Sequence, residues 1–518
     1  MHFRLEINSE GDCKFDVIHN NSIPDLKLEL YPNGDIEVRS DKRKVLILKI
    51  SAKKIIHVNH HCDCQIFLKI EKNLNYVLSS NLDSLLSRYA IFNDDYIIKY
   101  ILGGSLPSFD SAFKGINFLP PGTKIDVRNK IFEIENYFTE NNSNFIDTLD
   151  DFISKKLQNF SKVAIEYSGG LESSILLQSV KSSGYCGEIE LIHATDSDSG
   201  EADDLARVRR LAEYNKVGLT VIDQQDTPPF CTEVNPFCYS NFPHSGLVNQ
   251  GYIDIVAKKI LSKNTLVLNG SGGDSLFRSL PQSWLHLELL HSGMPISSLK
   301  WLLKSSSYFR KSLITTIRNS LLKYENVKKM CENPGVHFSN NSIEEGFFDA
   351  RSIPVDLSFP YLLYSDDISK QERHIDALVN RHEIISSPLA VFPGAYHSPF
   401  LQYESINSAL SIESEKLLFN RINRYELRYQ ASKKYKSEEF WNTRKGNFTG
   451  LTQRSIKSNK NRIEEIILEG EFGKYVNPNR IRETLTAVSS GVKTCPGYII
   501  NLYTVNLFAC QWRLKLND

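Results

Sequence analysis

Between residues 163 and 268, four short apolar runs (Val163–Tyr167, Glu188–Ala194, Leu219–Asp223 and Thr265–Leu268) alternate with stretches of helical periodicity at Leu171–Lys181, Glu201–Asn215 and about Leu247–Ser262. Such alternation buries both faces of a sheet when the strands run parallel and the helices cross over between them. It also dictates where a ligand goes, because open parallel sheets bind beyond the carboxyl ends of their strands.

The flanking segments have a different character. Upstream, short β-like runs at Phe3–Ile7, Lys27–Leu30, Val45–Ile50 and Tyr76–Leu78 are separated by turn signals such as Pro32-Asn33-Gly34-Asp35. One helical patch, Asp95–Leu102, meets Gly103-Gly104 as a stop. The amphipathic stretch Phe145–Phe160 opens the alternating region, and from about residue 285 the pattern is largely helical, closing on the apolar run Tyr498–Leu514. The expected fold is therefore α/β: a mostly antiparallel β domain over residues 1–140, then a parallel-sheet α/β domain with a helical C-terminal part over 145–518. A chain of 518 residues is too long for one small core, which agrees with such a division.

Charge and composition narrow the partners. The 61 Lys and Arg balance 61 Asp and Glu, so net charge gives no reason to expect nucleic acid or anionic lipid. No apolar run approaches the roughly 18 residues of a membrane span, and Met1-His2-Phe3-Arg4-Leu5 lacks the features of a signal peptide. A cytoplasmic location is expected, and nine cysteines in such a chain read as reduced thiols. His57, His60, His61, Cys62 and Cys64 cluster, but β-like runs flank them and no second ligand pair follows at zinc spacing, so they read as the polar turn of a hairpin.

Two loops carry the chemistry. Tyr167-Ser168-Gly169-Gly170-Leu171-Glu172-Ser173-Ser174 lies where a strand gives way to a helix. Paired glycines let backbone N–H groups approach a ligand without Cβ atoms in the way, and the helix N-terminus favours an anion. Hydroxyls at Ser168, Ser173 and Ser174 add neutral donors, making a pyrophosphate cradle. It lacks the Lys and spacing of the nucleoside-triphosphate loop, and by itself it could also be an ordinary glycine-rich turn. The second loop, Asn269-Gly270-Ser271-Gly272-Gly273-Asp274-Ser275-Leu276-Phe277, also follows an apolar strand and presents one carboxylate. Asp274 alone would serve equally as a helix N-cap. Paired with Glu172 across neighbouring strand ends, it supplies two hard oxygen ligands for Mg²⁺. A third element, Arg444-Lys445-Gly446-Asn447-Phe448-Thr449-Gly450, sets Lys445 next to glycine in a loop able to cover a site, whereas Lys433, Lys434 and Lys436 read as a solvated face.

With these residues in view, the chain resembles the asparagine-synthetase superfamily of ATP-dependent amide-forming enzymes. The family's pyrophosphatase loop, Ser-Gly-Gly-x-Asp-Ser, is matched by Ser168–Ser173 with Glu172 in place of Asp. Gly270–Phe277 matches its second loop, Pro399-Phe400-Leu401 its Pro-Phe-Leu element, and Lys445 with Phe448 and Gly450 its late lysine. Gly115-Ile116-Asn117-Phe118-Leu119-Pro120-Pro121-Gly122 looks like the end of the family's glutaminase domain. The resemblance implies a degenerate Ntn-type glutaminase fold followed by an ATP-pyrophosphatase (adenine nucleotide α-hydrolase-like) domain. ATP and Mg²⁺ are the implied cofactors. ATP-binding positions are Ser168, Gly169, Gly170, Ser173, Ser174, His193, Ala194, Asn269 and Gly270, with His193-Ala194 matching the adenine-contacting stretch; Glu172 and Asp274 hold the metal and Lys445 is catalytic.

The departures from the family pattern are informative. A glutaminase of this family needs Cys after the initiator Met; His2 stands here, and Cys13 is too far along to replace it. The amine then comes preformed on the substrate. Ser271 holds the catalytic position where asparagine synthetases have Glu and β-lactam synthetases Tyr; it is a poor base, and Glu404 or Glu426 are alternatives. The Gly-x-Gly-Gly-Asp loop and the C-terminal segment from Ile499 to Trp512 are most similar to the lasso-peptide cyclases, which join an Asp or Glu side chain of a ribosomal precursor peptide to its own N-terminal amine. A leader-peptide protease is the implied partner. Alternatives are an ammonia-dependent asparagine synthetase, a β-lactam-synthetase-like ligase and a non-catalytic peptide-recruiting homologue. A tRNA-modifying enzyme has no support from zinc-type cysteine pairs or a basic patch.

Overall fold

The computed structural model describes residues 2–517 except 8–12, 19–25, 31–35, 41–44, 51–54, 61, 63–64, 72–74, 127–128, 130, 135–142, 198–204, 232–235, 335–358, 362–366, 393–394 and 443–448. Its first part is built from strands β1 (His2–Ile7), β2 (Cys13–Ile18), β3 (Leu26–Leu30), β4 (Ile36–Ser40), β5 (Val45–Ile50), β6 (Ile55–Val58), β7 (Phe67–Ile70), β8 (Tyr76–Ser79), β9 (Ile116–Phe118), β10 (Thr123–Asp126) and β11 (Ile131–Ile134). They form two antiparallel sheets, ordered β2-β1-β8-β7-β9 and β11-β10-β6-β5-β4-β3. Between them Leu5, Ile7, Ile56, Val58, Leu68 and Leu78 make one small core. The expected antiparallel β block is therefore present as two packed layers.

The hairpin expected around His57–Cys64 is not formed. β6 pairs with β5 and β10, whereas β7 pairs with β8 and β9 in the other sheet, so the intervening segment is a crossing between layers. Alternating burial in Ile55–Val58 reads the same for either partner, so sequence pattern could not distinguish a hairpin from a sheet change. Among the described residues no cluster of three or more His, Cys, Asp or Glu could hold a metal; His60 stacks on Tyr403 and Cys62 is buried. His61 and Cys64 lie outside the described residues.

The second part centres on a parallel sheet of β12 (Lys162–Glu166), β13 (Glu188–Thr195), β14 (Gly218–Asp223), β15 (Thr265–Leu268) and β16 (Tyr396–His397), in the order β14-β13-β12-β15-β16. Helices α2 (Phe145–Leu157), α3 (Leu171–Ser182), α4 (Leu205–Asn215) and α5 (Gln250–Lys263) accompany it; α1 (Asp94–Gly103) belongs to the first part. Strand β12 is central and apolar, with Val163, Ala164 and Ile165 buried. The chain steps outward from β12 through β13 to β14, then returns to the other side of β12 as β15. That reversal places the loops after β12 and β15 side by side, where the order switches and a crevice opens. The fifth strand was not legible in the sequence. Its two residues carry no period and directly precede the Pro-Phe-Leu turn, which is buried.

Beyond residue 285 the chain is mostly helical, as expected. Its last helix, Gly497–Asn517, runs back to the first part, and its buried Tyr503, Phe508 and Trp512 share a core with Phe67, Phe92, Phe113 and Phe118. Polar contacts fix the register: Tyr100 Oη lies 3.3 Å from Thr504 Oγ1, Asn501 Nδ2 donates to Ile101 O at 3.1 Å, and Trp512 Nε1 donates to Ser240 O at 2.8 Å. No helix in the described residues is long and apolar enough to cross a membrane. Trp512→Ala removes an indole that packs edge-on against Phe113 and leaves Ser240 O without that donor. The expected loss is about 3–5 kcal/mol, read as a lower urea midpoint.

Candidate functional site

Each loop owes its shape to glycines with no Cβ. After β12, Gly169 takes φ +73°, a left-handed angle, and the chain then turns into α3 at Leu171. Ser168 Oγ accepts from Gly170 N at 3.2 Å, Ser173 Oγ donates to Gly170 O at 3.2 Å, and the two hydroxyls lie 3.5 Å apart. Ser168 is exposed, whereas Ser173 and Ser174 are buried. The hydroxyl of Ser174 donates to Glu439 Oε1 at 3.1 Å and sits 3.0 Å from Tyr167 Oη, so it is engaged by side chains of the protein. Next door, His193 Nδ1 lies 2.8 Å from Tyr167 O, tying β13 to the start of the loop; Ala194 follows it, half-buried.

After β15, buried Asn269 accepts from Ser271 N at 3.0 Å, and Ser398 Oγ donates to Ser271 O at 2.6 Å. Gly272 adopts φ +93° and starts the short helix Gly273–Leu276. A Cβ on Gly272 would overlap Leu401 of the Pro-Phe-Leu turn; one on Gly273 would overlap Glu172 Cγ, and one on Gly270 would stand 2.8 Å from Glu172 Cβ. The second loop thus lies directly on the side chain of Glu172, which explains Gly270 and Gly273, while Leu401 and the left-handed backbone explain Gly272. Ser271 is exposed at this rim.

Glu172 and Asp274, expected as a pair, do converge, and they converge on a cation that sequence reasoning missed. Arg424 Nη1 donates to Glu172 Oε1 and, at 2.7 Å, to Asp274 Oδ1. Arg424 is buried, has a left-handed backbone (φ +51°) and caps the helix Tyr425–Tyr435. The two carboxylates that meet on this guanidinium are hard oxygen donors of the kind that suit a divalent cation such as Mg²⁺. Arg424 Nε, buried, has no hydrogen-bond partner among the described residues. The available signal was the spacing of Arg424 and Arg428 four residues apart, downstream of Pro-Phe-Leu and upstream of Lys445.

Lys445 lies outside the described residues, but the chain on both sides of it is anchored. Arg428 donates to Phe440 O and, at 3.0 Å, to Asn442 O. Burial and the neighbouring Arg424 lower its pKa to about 10. Glu439 holds Ser174, and Arg454, on the helix Thr449–Ser458, pairs with buried Asp196 just past β13. Of the two alternative bases, Glu426 accepts from Gln430 Nε2 at 3.0 Å on the first turn of the Arg424-capped helix. Glu404 is half-buried on the helix Tyr403–Leu410.

A third carboxylate was also missed. Glu166 ends β12, immediately before the first loop, and accepts from Tyr252 Oη at 2.8 Å and Tyr396 Oη at 3.2 Å. Burial raises its pKa, an effect the two hydroxyls partly offset. A carboxylate closing the central strand after the buried run Val163-Ala164-Ile165 was the signal for it.

Gly272→Ala combines a left-handed backbone with the overlap on Leu401, whereas Gly293→Ala (φ +74°) meets open space. The second should cost about 1 kcal/mol, the ordinary penalty of a left-handed L-residue. The first should cost more, up to about 3 kcal/mol, measured for both by chemical denaturation.

No family model matches the chain. The chain is similar to the microcin J25-processing protein McjC of Escherichia coli, 21% identical over 427 residues that cover 79% of this chain and 73% of that protein. The resemblance read from the two loops, Pro-Phe-Leu and the late lysine is thus accompanied by likeness to a peptide-processing protein along most of the sequence.

Proposed function

We propose that this protein is an ATP-dependent, AMP-forming carbon–nitrogen ligase that closes an isopeptide ring in a ribosomal lasso-peptide precursor. The observation that carries the reading is the convergence of Glu172 and Asp274 from two glycine-built loops at the switch point of a parallel sheet. The similarity to a microcin J25-processing protein supports a peptide substrate. On this reading residues 1–140 are a degenerate glutamine-amidotransferase-like domain and 145–518 the amide-forming domain, acting in the cytoplasm with a leader-peptide protease as partner.

The residues divide the work as follows. Ser168–Ser174 cradle the phosphates of ATP, with Asn269 and Gly270 closing the far side and His193-Ala194 against the adenine. Glu172 and Asp274 hold Mg²⁺, which when bound neutralises phosphate charge. Arg424 swings its guanidinium from the carboxylates to the pyrophosphate, where Nε and Nη1 form a fork suited to phosphate oxygens. An Asp or Glu side chain of the peptide attacks the α-phosphorus, pyrophosphate leaves, and the peptide's N-terminal amine captures the adenylated carboxylate. Lys445 stabilises the negative charge that develops in both steps. Ser271 borders the acyl site as a hydroxyl donor, and the ionised Glu166 accepts the proton of the attacking amine.

Glu172→Ala and Asp274→Ala should each abolish pyrophosphate exchange that depends on the peptide carboxylate; exchange surviving in both variants rules out the paired-carboxylate metal site. Glu166→Gln should keep exchange and slow amide formation by about 10²–10⁴-fold, the usual range for a lost general base. Because burial raises the pKa of Glu166 and the base works ionised, amide formation in the native chain should increase with pH through a value above the ordinary carboxylate range, and this limb should vanish in Glu166→Gln. Ammonia-dependent asparagine formation by the native chain would favour the asparagine-synthetase alternative instead.

A further inference from the structure

The helices Pro295–Phe309 and Leu313–Glu332 carry an apolar stripe on the face turned to solvent as well as buried side chains on the inner one. Their buried positions are Ser298, Trp301, Ser305, Thr316, Ser320, Tyr324 and Met330, while Ile296, Leu299, Leu303, Ile314, Ile317 and Leu321 face solvent. Ile296 is 72% and Ile314 81% exposed. The spacing is three then four residues on each helix, so each set forms one stripe along one face. The inward face combines Trp301, Tyr324 and Met330 with hydrogen-bonded serines: Ser298 Oγ donates to His286 O at 2.6 Å and Ser320 Oγ to Ser283 O at 2.9 Å. An amphipathic helix of a water-bathed surface keeps its outer face polar, and an apolar patch of this extent marks an interaction site.

Charge identifies the occupant. From Pro295 to Glu332 the chain has eight Lys and Arg against two Glu, although the whole chain is balanced at 61 of each. Whole-chain neutrality hid this basic patch from the sequence reading. On the first helix Lys300 directly follows Leu299, and on the second Arg318 directly follows Ile317, so exposed basic groups flank the apolar stripes. Basic residues beside protruding Leu and Ile match a surface that is anionic outside and apolar beneath. A second copy of this face would repel it, and a nucleic acid would leave the leucines and isoleucines unused. With no helix able to span, the pair fits a helix hairpin lying in the interface plane.

We propose that this helical pair docks the protein on an anionic membrane surface. The test is co-sedimentation of the full chain with vesicles of phosphatidylglycerol and phosphatidylcholine, against pure phosphatidylcholine, at low and high salt. Binding should require the anionic lipid and weaken with salt. Lys300→Gln with Arg318→Gln should lower partitioning about 25-fold, at about fivefold per basic residue near the surface. Leu299→Ser with Ile314→Ser and Leu321→Ser, all exposed, should lower it at least tenfold with an unchanged melting temperature. Equal partitioning of the native chain into both vesicle types overturns the proposal. So does full binding by the triple Ser variant, which would mark simple polyanion binding of the kind tRNA would share, and so does a native dimer that the triple variant abolishes.

Discussion

The site depends on how one positive group is shared between two negative ones. Glu172 comes from the helix after the central strand, Asp274 from the loop after its neighbour, and Arg424 from a helix cap some 150 residues further on. Two carboxylates at this spacing would repel, and a buried arginine with no partner would be costlier still. Each of the three therefore requires the others, and the rest of the second part is arranged to deliver them. The sheet order sets two strand ends side by side, the glycines of the second loop let it rest on Glu172, and Arg373 holds the end of that loop by donating to Leu276 O at 2.8 Å. On the proposed reading, the arginine would exchange these carboxylates for phosphate oxygens when a nucleotide binds.

The first part of the molecule is not an appendage. Its aromatic residues and those of the last helix form one core, and Gln65 reaches across to donate to Ile385 O at 2.6 Å while accepting from Asn241. His382, with its pKa lowered to about 3 by burial, packs against Phe118 and Phe242 in the same boundary. The first part is thus the wall against which the helical layer packs.

How much of this was legible beforehand follows from the range of each signal. The strand–helix alternation, the two loops and the Glu172–Asp274 pairing are local patterns whose spatial consequence follows from the rules of parallel sheets, and all were readable. Arg424 and Glu166 were not, because an arginine before a helix and a glutamate at a strand end have ordinary explanations until their partners are known. The crossing at residues 59–66 was misread as a hairpin because strand register is set by partners, not by the strand itself. The two-residue strand Tyr396-His397 was too short to have a period, and only its neighbour β15 makes it a strand.

The switch-point topology also has a consequence for how the chain acquires its site. Ser168 and Gly270 are neighbours in space but about a hundred residues apart in sequence, Leu401 and Arg424 arrive later still, and the core of the first part is completed only by the last helix. Contacts of such separation form slowly, after the local helices and hairpins. On a ribosome, the loop at Ser168–Ser174 would leave the exit tunnel long before Arg424 exists. During that interval Glu172 and Asp274 lack the arginine on which they converge in the folded chain, and the loops are present before the contacts that arrange them.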